Sequence, residues 1–203
     1  MVVTAEFLFD FGSPNAYLVH RAIPTAEARG QVRFDYVPVL LGGIFKAIGN
    51  QSPMTAYGHI TAKRDYDRLE MHRFMTRHDI NGFRMNPHFP VNTLLAMRGA
   101  IAAQQLGVAE DYIEAMFAAM WELGLKLDEP DVWHRTLVEA GLPADALTQG
   151  AADPAHKAML VNNTEQAVAR GAFGSPTFFI GEEMWFGKDR LRDVEEAAAA
   201  TAA

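Results

Sequence analysis

The chain has 203 residues, 49% of them apolar and 21% charged, which suits one globular domain or one domain carrying an insertion. A net charge of −7 excludes a nucleic-acid footprint, which needs a basic face. No run of about 18 apolar residues appears. No basic leader opens the chain, and zero cysteines exclude disulfides, a thiolate of the chain's own and Cys-ligated metal. The expectation is a cytoplasmic protein that engages neither membrane nor nucleic acid.

Residues 6–11 alternate with β-favouring aromatics and predict a strand. Gly12, Ser13 and Pro14 then mark a turn, with Ser13 placed to cap a helix and Pro14 at its first position. That helix extends to about Arg29, where Gly30 stops it. Pro24 inside it predicts a kink or two short helices. Residues 32–38 alternate again, so the opening is a βαβ unit with parallel strands.

From about residue 43 to 170 almost nothing reads as strand. Helices are expected over 58–79, 92–106, 109–123, 129–140, 143–151 and 154–170. Tyr112/Ile113, Met116/Phe117 and Met120/Trp121 recur every four residues and predict a buried face. Some of Met116, Met120 and Trp121 are also open to lining an apolar substrate pocket.

The end returns to β. Phe178–Ile180 and Met184–Phe186 flank a tight turn at 181–183 and predict a hairpin. A final helix is expected from Gly187 to about Ala199, with an Ala-rich tail after Glu196 that frays. The fold class is α/β: four strands in one sheet built from residues 1–40 and 155–203, with 41–154 as an all-helical insertion.

Several segments together carry a family resemblance. Phe9 to Leu18, Gly49-Asn50, Lys63 to Tyr66, Phe89 to Leu94, Gly171 to Thr177 and Phe186 to Leu191 occur in order over nearly the whole chain. This pattern resembles the 2-hydroxychromene-2-carboxylate isomerases and the related kappa-class glutathione transferases. The resemblance implies a thioredoxin-like, DsbA-like fold with a helical insert, glutathione as cofactor, a small aromatic carboxylic acid as substrate, and a homodimer.

The chemistry can be read beside that resemblance. Thioredoxin-like oxidoreductases hold a Cys-x-x-Cys pair where this chain has Ser13, Pro14, Asn15 and Ala16. The helix N-terminus there favours an anion, so the Ser13 hydroxyl is a candidate donor to a bound glutathione thiolate; a plain helix cap is the competing reading. Pro176 is implied to follow a cis bond, with the Ser175 backbone pairing with the glutathione peptide; what the Ser175 side chain does stays open. Gly187, Lys188, Asp189 and Arg190 offer amides for a carboxylate and one carboxylate for an ammonium, or else a solvated helix start with an Asp cap. The resemblance adds Asn50 as a glutathione or substrate contact and Lys63 as a substrate contact, although a turn Asn and a helix Lys are commonly solvated. The seven histidines show no ligand pairing, His72 and His78 lying six apart, so no metal is expected.

The implied activity is glutathione-dependent cis–trans isomerisation of 2-hydroxychromene-2-carboxylate to trans-o-hydroxybenzylidenepyruvate, or of a related enone acid. A kappa-like transferase that consumes glutathione, and a non-catalytic thioredoxin-like binding module, remain alternatives.

Overall fold

Apolar alternation along Val3–Phe9 makes strand β1: Ala5, Phe7 and Phe9 fall on one face and Leu8 on the other. The strand begins earlier than residues 6–11 suggest and stops at Phe9, where the Asp10 carboxylate takes the Gly12 amide and turns the chain. In this computed structural model, which describes residues 2–202, β1 is central. Strand β2 (Val32–Pro38) runs parallel to it, joined by helix α1 (Pro14–Glu27). Helix α1 is one helix through Pro24 rather than two.

Helices α2 (Leu41–Ile48) and α3 (Pro53–Tyr57) follow, too short and too exposed to announce themselves in the sequence. Then come α4 (Thr61–Arg77), α5 (Leu94–Leu106), α6 (Ala109–Trp121), α7 (Pro130–Glu139), α8 (Ala144–Ala152) and α9 (Pro154–Ala169). Strand β3 (Thr177–Ile180) returns antiparallel to β1 and β4 (Glu183–Phe186) forms the edge, giving the order β2-β1-β3-β4. Residues 188–190 form a 3₁₀ turn, so helix α10 (Leu191–Ala202) starts later than expected from Gly187. Its alanines stay helical to Ala202, where fraying was expected after Glu196.

The sheet has two packed faces. Leu8 and Phe179 meet Ile44 of α2 and Ala167 of α9. On the other face Phe7 stacks on Phe178 at 5.5 Å between centroids, and Phe9 lies 5.8 Å from Phe117 of α6. That core runs on without a break through Met97, Trp121, Trp133 and Leu147, so the expected sheet and insertion segments share one apolar interior. No helix among the described residues is long and apolar enough to cross a membrane.

Candidate active site

The turn after β1 is fixed before any ligand arrives. The Ser13 amide donates to the Asp10 carbonyl at 3.0 Å, the Phe11 amide contacts the Met97 sulfur at 3.4 Å, and the Trp121 indole N–H donates to the Phe11 carbonyl at 2.8 Å. These contacts deliver Ser13 to the first position ahead of α1. Its extended backbone (φ −95°, ψ 112°) and the Pro14 that follows suit a helix start.

Both readings of Ser13 find support in the geometry. Its Oγ accepts from the Ala16 amide at 3.2 Å, which is the cap. The same hydroxyl donates to the Ser175 carbonyl at 2.8 Å, 162 positions along the chain. Ser13 is only 4% exposed, so this bond is shielded from water. A hydroxyl has one proton, so donation to any other acceptor requires the O–H bond to turn away from the Ser175 carbonyl.

The segment facing Ser13 is held equally firmly. The Ser175–Pro176 peptide is cis, as is Phe89–Pro90. The Ser175 side chain donates to the Leu8 carbonyl at 3.3 Å, and Thr177 Oγ1 donates to the Gly174 carbonyl at 2.8 Å. The Pro176 carbonyl accepts the Gly187 amide at 3.0 Å, and Gly187 sits at φ 97°, ψ 154°, a conformation that in practice belongs to glycine. Gly187 thereby carries the 187–190 turn next to Ser175 and Pro176.

The remaining expected residues divide. Asn15, in the first turn of α1, has a buried Oδ1 with no hydrogen-bond partner. Asn50 follows the left-handed Gly49 that ends α2, and its Nδ2 donates to the Phe173 carbonyl at 3.1 Å, two residues before Ser175. Lys63 instead pairs with Asp67 at 2.9 Å and lies 5.4 Å from the Tyr57 ring centroid, with no contact to Ser13, Asn50 or Ser175. Lys188 is 4% exposed, its Nζ bonded to the Asp189 carboxylate at 2.6 Å and set against the Phe74 ring. Asp189 therefore salt-bridges its neighbour instead of capping a helix, and Arg190 pairs with Asp193 at 3.0 Å. Two clefts, of about 590 and 320 Å³, share Phe74, Arg77 and Asp189, and neither has Ser13, Ser175 or Pro176 in its wall. Both clefts thus open at the Asp189 end of the 187–190 turn.

Two further residues build this site without standing out in the sequence. Asp10 is buried, and its carboxylate accepts from the Gly12 amide (2.8 Å), the Thr93 hydroxyl (2.7 Å) and the Leu41 amide (2.7 Å). Burial pushes this carboxyl above the ordinary range, and the three donors pull it back. Thr93 lies in Phe89–Leu94, a segment carrying the family likeness, but the signal that would give it a role is a contact 83 positions away.

Comparison with known proteins places this geometry. The family profile of the DSBA-like thioredoxin domain matches residues 4–199. A 2-hydroxychromene-2-carboxylate isomerase from a Pseudomonas strain is 29% identical, covering 97% of this chain and 91% of that protein. Human glutathione S-transferase kappa 1 is 25% identical over 93% of this chain and 87% of its own. A solved 2-hydroxychromene-2-carboxylate isomerase superposes with a TM-score of 0.83 at 25% identity, covering 98% of this chain and 96% of the other. DsbA of Pseudomonas aeruginosa shares the fold at a TM-score of 0.59 and 18% identity, over 99% of this chain and 86% of its own.

Proposed function

We propose that this chain, which belongs to the family of DSBA-like thioredoxin domains, is a glutathione-dependent isomerase of 2-hydroxychromene-2-carboxylate or a closely related aromatic enone acid. One observation carries the reading: a buried serine hydroxyl, bonded to the carbonyl before a cis-proline, stands where the thiol oxidoreductases of this fold place a cysteine. The chain has no thiol of its own, so thiol chemistry here requires one brought in.

The residues present fit glutathione. Asn15 has a buried carboxamide oxygen left without a donor, beside Ser13. The Ser175 carbonyl faces Ser13, and an added peptide strand would compete for it there. The Asp189 carboxylate suits the γ-glutamyl ammonium, and the Lys188 and Asp189 amides suit its carboxylate. Asn50 would meet the peptide from the other side.

Glutathione, held by Ser13, Asn15, Ser175 and Asp189, would supply a thiolate as the nucleophile for reversible addition to the β-carbon of an enone. The chain's part is positional and electrostatic. A peptide N–H arriving at the Ser175 carbonyl would release the Ser13 proton, and Ser13 would then turn that proton to the sulfur. The N-terminus of α1 adds a favourable field for negative charge at the same point. Burial of Ser13, 4% exposed, would limit competition from water for its hydroxyl.

The test is omission and blocking of the thiol. Isomerisation should require glutathione and leave it unconsumed, and S-methylglutathione should bind without supporting turnover. Full activity with no thiol present would end the proposal. A kappa-like transferase is the second reading, favoured by the human relative of that name; accumulation of a stable thioether in place of recovered thiol would select it.

A further inference from the structure

We infer that Asp10 is a positioning residue for Ser13, working through Gly12 and Thr93, an inference that rests on the glutathione-dependent reading above. Asp10 is 1% exposed. Three donors converge on it from three separate elements: the Gly12 amide of the Ser13 turn, the Leu41 amide that opens α2, and the Thr93 hydroxyl at the start of α5. All three groups donate to it, so both oxygens of this buried carboxyl group are satisfied within the fold. Its own carbonyl accepts the Ser13 amide at 3.0 Å. One residue therefore ties the catalytic turn to both the sheet-covering helix and the helical insert.

The packing leaves that turn little alternative. A methyl group at Gly12 would stand 3.2 Å from Thr93 Cγ2 and 3.3 Å from Asp10 Oδ1, so Gly12, Thr93 and Asp10 interlock. The Ser13–Ser175 bond of 2.8 Å is set by where this turn stops. Small displacements of a catalytic group are expensive in rate, and a loop restrained by one carboxylate is the point where such a displacement would start.

The test uses Thr93, because Asp10→Asn sets an NH2 donor either against the Leu41 amide or against the Gly12 and Thr93 donors and risks misfolding. Thr93→Val keeps the shape and removes the hydroxyl; Thr93→Ser keeps the hydroxyl and removes the methyl. Thr93→Val should lower kcat about tenfold, the scale of losing one buried hydrogen bond, with the KM for glutathione little changed. It should also reduce the ultraviolet thiolate absorbance of bound glutathione, and Thr93→Ser should restore both. In the ligand-free protein Thr93→Val should speed hydrogen exchange at the Gly12 and Ala16 amides without matching acceleration in the β1 core. Wild-type exchange and kcat in Thr93→Val, or equal loss in Val and Ser, would overturn the inference. If wild-type protein shows no thiolate signal with glutathione, the functional proposal fails, and the exchange result still decides whether Asp10 and Thr93 fix the turn.

Discussion

At the residue scale, Ser13 joins an observed cap bond to a proposed catalytic role, and one substitution confuses the two. Ser13→Ala removes the cap bond to Ala16 and the hydroxyl together. It should cost about 1 kcal/mol of stability through the cap and about 10²-fold in turnover through the lost donor. Ser13→Gly separates them, because glycine at this position costs a helix only a few tenths of a kcal/mol. The glycine variant should melt near the wild-type temperature yet turn over as slowly as the alanine variant; if it retains wild-type turnover, Ser13 is a cap only. Asp189 likewise joins an observed ion pair to a proposed ligand contact. It is the carboxylate paired with the buried Lys188 ammonium, so Asp189→Asn should weaken glutathione binding and also destabilise the fold by about 1 kcal/mol. The figure is modest because Asp189 itself is 61% exposed. Adding Lys188→Met should recover the melting temperature but not the binding, and recovery of both would show that Asp189 never met the ligand. Sequence reading reached Ser13, Pro176 and Asp189 because turn chemistry and family likeness mark them. It gave Asp10 and Thr93 no role, since their meaning lies in partners far along the chain.

At the element scale, α1 and α6 are joined by a polar cluster that periodicity does not reveal. Glu114 of α6 accepts from Arg21 at 2.6 Å and pairs with His20 at 3.0 Å, while His20 also bonds the Tyr36 hydroxyl at 2.9 Å. Glu122, just past α6, accepts from Tyr17 and Arg21. The bond to His20 and then the Arg21 guanidinium hold the Glu114 carboxyl down at about 2 against an ordinary 4.5. Burial pushes the Tyr17 hydroxyl up to about 12, so it stays protonated and donates to Glu122. Because the folded value of Glu114 is depressed, ionised Glu114 stabilises the fold above pH 4.5, and this contribution is lost as pH falls towards 2. Urea midpoints at pH 7 and pH 3 should therefore differ less in Glu114→Gln than in wild type; an unchanged difference would mean the cluster contributes nothing to acid sensitivity. The helices themselves were readable from apolar spacing over 92–106 and 109–123. What was not readable is why Gly99 sits inside one of them: a Cβ there would run into the Tyr112 hydroxyl and lie 2.8 Å from the Trp133 ring. A helix-interior glycine looks like a weakness until its neighbour is known.

At the scale of the whole molecule, the sheet and the helical block fold around one interior. Sequence order suggested a sheet unit of 1–40 and 155–203 interrupted by 41–154, and four strands and most of the helices lie close to where their patterns place them. The shared core is a different kind of information, set by which faces meet. Phe11 of the Ser13 turn packs 4.9 Å from Phe117 of α6, and Trp121 at the end of α6 bonds the Phe11 carbonyl. Separating the two blocks would expose aromatic surface on both, at about 25 cal/mol for each Å² of apolar area. Neither block should then unfold alone, and the protein should melt in one cooperative step. The three tryptophans supply the measurement. Trp121 and Trp133 are buried in the helical block, and Trp185 lies on β4 of the sheet. A variant carrying Trp121→Phe and Trp133→Phe reports the sheet, and Trp185→Phe reports the helical block. The double variant shifts overall stability, so each protein is compared with its own circular dichroism transition. In both, fluorescence and circular dichroism should share one denaturation midpoint. A fluorescence transition displaced from the circular dichroism transition in either variant would show two units that open separately, and Ser13, which sits at their junction, would then owe its position to docking and not to a common core.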